Sequence, residues 1–138
     1  MRLMSVAAGS LSFGAAIKGA VVGAIASLIE SSVVAWIFMS GTPKSVAEGE
    51  AATKALMASQ SYLLTDLGGS LLCMAIGGYV AASSAKQSGL KHGIVTGVLL
   101  LAFVAVMMMI FPGVPRWYTV TVFILIIPAA ALGGMLRG

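Results

Sequence analysis

A chain of 138 residues with 59% hydrophobic and only 9% charged residues lies far from the soluble average, in which about a quarter of residues are charged. A soluble domain of this length leaves too much surface in water to hide so much apolar content, and a mean hydropathy of +1.06 marks an integral membrane protein. The formal charge of +4 does not point to nucleic acid, because the basic residues stand at the ends of apolar runs, where they set orientation and meet anionic headgroups.

A membrane-spanning helix needs about 20 predominantly apolar residues. Four runs qualify, over residues 13–40, 63–85, 93–112 and 117–136. None shows the period-two alternation of a barrel strand, so the expected fold is all-α, a four-helix membrane bundle forming a single domain over 1–138. The apolar run behind the basic start of the chain exceeds a signal-peptide core of about 7–15 residues and reads as a retained first span.

The first run carries a small residue at every fourth position: Ala15, Gly19, Gly23, Ser27, Ser31 and Ala35. Such a stripe lets two helix backbones approach closely in lipid. Glu30 lies within this run, roughly ten residues or about 15 Å from its second end. An acid near the bilayer midplane must be protonated, paired or in contact with water. Ser27 and Ser31 share its side of the helix, and no cation stands obviously at its depth. After the "SGTPK" break, residues 45–61 predict an amphipathic helix, with Ser45 and Glu48 spaced as a capping box. This segment either lies on the interface or runs straight into the second span.

The second run opens on "LLTDLGGS", where Asp66 is expected to cap a helix start, or else to line one crevice with Glu30. Its own small-residue set, Gly69, Cys73, Gly77 and Ala81, predicts that the first two spans meet groove to groove. Cys73 reads as a packing residue. The segment "AIGGYVA" (75–81), with Gly77 and Gly78, resembles "ALGGMLR" (131–137), with Gly133 and Gly134. This faint repeat points to two parallel hairpins related by an axis along the membrane normal.

The third run, read from "VLLLAFVAVMMMIF", is bulky all round and expected to face lipid or another copy. Met107, Met108 and Met109 point in different directions on a helix and cannot ligate one ion. His92, at the start of this run, reads as a solvated interfacial residue. "FPGVPRWY" is a tight turn, and Trp117 and Tyr118, with Trp36 and Tyr62, fit an aromatic belt. In the fourth run Pro128 removes a helix hydrogen bond and is expected to kink the helix.

With four spans, Arg2, Lys86, Lys91, Arg137 and Lys18 share one side. Lys44, Lys54 and Arg116, offset by Glu48 and Glu50, share the other. The positive-inside rule then places both termini in the cytoplasm. The stretches "GGYVAASSAKQSGLKHGIVTGVLL" (77–100) and "PRWYTVTVFILIIPAAALGGMLRG" (115–138) resemble a group of uncharacterised small four-span bacterial inner-membrane proteins. That group shares a Gly-Gly-Tyr-Val-Ala-Ala end to its second helix, and it commonly carries an arginine where this chain has Ser83 and Ser84. The resemblance implies a bacterial inner membrane and assigns no site residue.

No nucleophile set, phosphate loop or metal-ligand spacing occurs, so no enzyme, cofactor or metal is expected. The favoured role is an accessory or structural subunit that self-associates or joins a larger membrane complex, with lipid rather than nucleic acid around it. The alternative is a small transporter or ion pathway with Glu30 as its titrating acid. A wet cavity reaching Glu30 favours the alternative, and a dry contact favours the subunit. If Glu30 is only a neutral buried contact, Glu30→Gln leaves assembly and thermal stability nearly unchanged; loss of a transport activity with assembly intact refutes that role.

Overall fold

The computed structural model describes residues 12–39, 43–85, 89–111 and 113–137. Ser40 and Gly41 of the "SGTPK" break, Lys86, Pro112 and Arg2 lie outside the described residues. Five helices occur among those described: α1 (Phe13–Phe38), α2 (Val46–Ala58), α3 (Gln60–Ala85), α4 (Gly89–Ile110) and α5 (Arg116–Arg137). Of these, α1, α3, α4 and α5 are long and apolar enough to cross a membrane. The chain is therefore a multi-pass membrane protein with an all-α bundle fold.

Helix ends follow local chemistry. The Ser12 hydroxyl accepts the Ala15 N–H at 3.2 Å and starts α1. Ser45 does the same for Glu48 N–H at 3.1 Å at the start of α2. The expected reciprocal half of the capping box differs, because the Glu48 carboxylate accepts the Lys44 N–H at 2.7 Å rather than that of Ser45. Ser59 decides how the outer segment meets the second span. Its extended backbone ends α2, and its hydroxyl accepts the Tyr62 N–H at 3.3 Å. Thus α2 and α3 are separate helices meeting at one capping residue, and α3 starts at residue 60 rather than 63. Gly113, at φ +107°, forms the turn before α5 in a conformation that favours glycine.

Around the bundle the order is α1, α3, α5, α4. The contacts α1–α3, α3–α5, α5–α4 and α4–α1 form the sides, and α3 also reaches α4 across one diagonal, whereas α1 and α5 make at most marginal contact. The four spans therefore form a rhombus with α3 and α4 on its short diagonal. A strict twofold relation between the α1–α3 and α4–α5 hairpins would make both diagonals alike, so the shear breaks the expected symmetry.

Glycines set the close approaches. A Cβ at Gly77 would stand 2.7 Å from the Gly19 carbonyl oxygen and 3.2 Å from Gly23 Cα, so the grooves of α1 and α3 meet. Each Gly-Gly pair divides its two residues between two neighbours. Gly77 faces α1 while Gly78 abuts the Ala130 carbonyl of α5; Gly133 abuts the Ala75 carbonyl of α3 while Gly134 abuts Gly89 and Gly93 of α4. This last contact corrects the reading of the third span. Gly89, Gly93 and Gly97, at four-residue spacing, form a buried small-residue face against α5. Only the later half of α4 is bulky. His92 is likewise not solvated: it is fully buried, and its Nε2 accepts the Ser12 N–H at 2.8 Å. Beside it, the buried Thr96 hydroxyl donates to the Ala16 carbonyl at 3.4 Å. These two contacts tie the start of α1 to α4. Cys73 is buried in the α3 face toward Gly23. Helix α5 continues through Pro128, which is exposed on the outside of the bundle.

All these glycine contacts lie toward the end of the bundle where α1 begins and α5 finishes, here termed the terminal side. Toward the opposite end, the α2 side, Leu63, Leu67, Tyr118 and Val122 pack with Leu56 of α2. Gly78 and Gly68 test this division within one helix. Gly78→Ala drives a methyl into the Ala130 backbone and is expected to destabilise by about 1–3 kcal/mol or more. Gly68, with nothing within 4 Å of an added Cβ, is expected to tolerate alanine or gain about 0.5–1 kcal/mol. Thermal unfolding of the two variants in detergent checks both signs.

Candidate functional site

Two spans bring their acids to the α2 side. Glu30 lies eight residues before the end of α1, ~12 Å along the helix axis. Asp66 lies six residues inside α3, ~9 Å from its start. Asp66 is thus well past the first turn and does not cap the helix, which corrects the favoured sequence expectation. It shares one face of α3 with Tyr62 and Ser70, each four residues away.

The Glu30 carboxyl lies over Gly69, where any Cβ would collide with it. Its Oε2 accepts hydrogen bonds from Ser70 Oγ at 3.1 Å and Ser31 Oγ at 3.4 Å. Asp66 is only 7% exposed, and its Oδ2 accepts a hydrogen bond from the Tyr118 phenol of α5. Two hydrogen-bonded sets result: Ser31–Glu30–Ser70 joins α1 to α3, and Tyr118–Asp66 joins α5 to α3.

Each carboxyl retains one buried oxygen, Glu30 Oε1 and Asp66 Oδ1, with no hydrogen-bond partner among the described residues. Among the described residues, every side-chain hydrogen bond that either acid receives comes from a hydroxyl. Glu30 is bonded to Ser70, one helical turn from Asp66 on the same face of α3. Neutral donors do not compensate a buried carboxylate, so such a pair holds a proton or attracts a cation.

Asp66, Ser70, Ser27 and Ser31 line a cleft of about 240 Å³. Glu30 sits one hydrogen bond behind this wall, reached through Ser31 and Ser70. The apolar lining comes from all four spans, with Leu28 of α1, Met74 of α3, Val122 of α5, Phe103, Met107 and Met108 of α4, and Phe111 just past the end of α4. Met57 of α2 stands at the same cleft, whereas Met109 points away and is largely exposed.

The remaining sequence-predicted residues lie elsewhere. Gly19, Gly23, Gly77, Gly78, Gly133 and Gly134 form helix contacts on the terminal side, and Pro128 is outside the site. Trp36 and Trp117 are exposed, as an aromatic belt requires, but Tyr62 and Tyr118 are buried and belong to the cleft. Tyr62 also packs edge-on against Phe38, ring centroids 5.8 Å apart. Sequence reasoning missed Ser70, Tyr62 and Tyr118 as site residues. The four-residue spacing of Tyr62, Asp66 and Ser70 was the available signal.

Comparison with protein-family models, with curated proteins and with solved structures finds no match to this chain.

Tyr118→Phe keeps the ring and removes the donor to Asp66. Leaving that buried carboxyl without its hydroxyl is expected to destabilise by about 1–3 kcal/mol, read as a lower thermal midpoint in detergent. The exposed Trp117→Phe is expected to leave the midpoint within about 0.5 kcal/mol of wild type.

Proposed function

We propose that this protein is a small, non-enzymatic membrane carrier or pathway for protons or monovalent cations, with Glu30 and Asp66 as its binding acids. One observation carries the reading: two carboxyls from different spans converge inside the membrane, each with an unpartnered buried oxygen and only hydroxyl donors. A purely structural polar contact would complete its hydrogen bonds, because an unsatisfied buried group costs free energy without return. The cleft, which Met57 of α2 also lines, reaches Asp66, and Glu30 lies behind it, bonded to Ser70. The α2 side faces outward and the termini lie in the cytoplasm of a bacterial cell: Lys18, Lys91 and Arg137 gather on the terminal side, while Glu48 and Glu50 offset Lys44, Lys54 and Arg116 on the other.

An accessory subunit that self-associates or joins a larger complex is the second reading. It is supported by the broad exposed face of α1, with Ile17, Val21, Ile25 and Ile29, which a neighbouring helix could cover as well as lipid.

Flux through reconstituted vesicles separates the two. Vesicles carrying the full chain and an internal pH dye are expected to respond to an imposed cation or proton gradient. Glu30→Gln and Asp66→Asn are each expected to reduce that response to the level of protein-free vesicles. Gly69→Ala keeps both acids but pushes the Glu30 side chain off its seat, and is expected to impair flux with the bundle intact. Flux absent from wild type, or unchanged in all three variants, leaves the subunit role as the standing explanation.

A further inference from the structure

We infer that the cleft beside Asp66 is a binding site for a lipophilic organic cation, an ammonium ion carrying an aromatic ring. The inference rests on the cation-binding reading above and names the class of ligand.

The lining of the cleft is of two kinds. The polar part carries the charge: Ser27 and Ser31 of α1, Asp66 and Ser70 of α3, and Tyr118 of α5. The larger part is apolar and comes from all four spans, with Leu28 of α1, Met74 of α3, Val122 of α5 and Phe103, Met107 and Met108 of α4. An inorganic ion needs oxygen ligands around it and would exchange its water for a mostly apolar lining; among the described residues no group of three His, Cys, Asp or Glu side chains could hold a metal. A neutral lipophile would fill the apolar part but leave the Asp66 carboxyl uncompensated. An anion is repelled by the acid. A cation with its own apolar body satisfies both parts together.

Asp66 is the counter-charge, since its side chain is more than nine-tenths buried, lines the cleft and accepts its one side-chain hydrogen bond among the described residues from a neutral phenol. Phe103, Phe111 and the Tyr118 ring offer π-faces to an ammonium group. Met107 and Met108 supply polarizable, adaptable contacts. The volume of about 240 Å³ equals roughly eight waters at ~30 Å³ each, which suits one ring with a substituted ammonium head.

Equilibrium dialysis of benzyltrimethylammonium against the full chain in lipid nanodiscs tests this. Saturable binding is expected, weakened at least ~10-fold by Asp66→Asn and equally by Met107→Trp, which fills the cleft from α4 without touching either acid. Glu48→Gln, at the start of α2, is expected to bind like wild type. Thermal unfolding verifies that each variant is folded. Absence of saturable binding to wild type, or binding that both Asp66→Asn and Met107→Trp leave unchanged, overturns the inference. The infrared carboxyl bands of wild type, recorded across pH, keep the two readings apart. If they respond to pH while benzyltrimethylammonium does not bind, the acid pair stands and the organic-cation site falls; if neither is seen, both fall.

Discussion

Direct backbone contact between helices is the constraint on which the rest of this structure depends. In lipid there is no hydrophobic gain from bringing two apolar helices together, so association relies on close packing. Gly19 against Gly77, Gly78 against Ala130, Gly133 against Ala75, and Gly134 against Gly89 and Gly93 supply that packing. The doubled glycines make it a network: adjacent residues on a helix point about 100° apart, so each Gly-Gly pair serves two neighbours at once. Helices α3 and α5, which own these pairs, consequently form the shared wall between the two hairpins.

The distribution of these contacts has a geometric result. They are concentrated on the terminal side, where His92 and Thr96 add polar ties between α4 and α1. Toward the α2 side the facing residues are large: Leu63, Leu67, Tyr118, Val122 and the bulky half of α4. A bundle tight at one end and filled with large side chains at the other does not close uniformly, and the cleft occupies the wider half. Gly69 is the exception that makes sense of the rule. It is a small residue on the wide side, and the space it leaves is filled by the Glu30 carboxyl.

The polar groups in that half form a set whose members depend on one another. A carboxyl in a low-dielectric setting is costly unless donors surround it. Here the donors are Ser31, Ser70 and Tyr118, drawn from three helices, and they satisfy one oxygen of each acid. The Glu30 carboxyl is seated against Gly69, while the Asp66 side chain borders the cleft. Buried polar groups left incompletely satisfied call for an explanation beyond packing.

Much of the architecture was legible in the sequence because it depends on properties each segment carries alone. Apolar length marks the four spans, Ser45 starts α2, and the four-residue stripes of the first two spans name the faces that meet. What escaped depends on how each helix is rotated and on which partner it finds. Tyr118 next to Trp117 looks interfacial, but adjacent residues point to different faces: Trp117 turns outward and Tyr118 turns in to Asp66. His92 looks solvated beside Lys91 for the same reason, although the start of α1 covers it. The bulkier second half of the third span masks the stripe of Gly89, Gly93 and Gly97 in the sequence. Composition and spacing by themselves determined that this is a multi-pass membrane protein with four helices long and apolar enough to cross a membrane among the described residues, and that the first two of them pack through small residues. Only the tertiary structure decided that Glu30 and Asp66 share one hydroxyl-lined site, since helix rotation is set by all the neighbouring contacts together and not by any one helix.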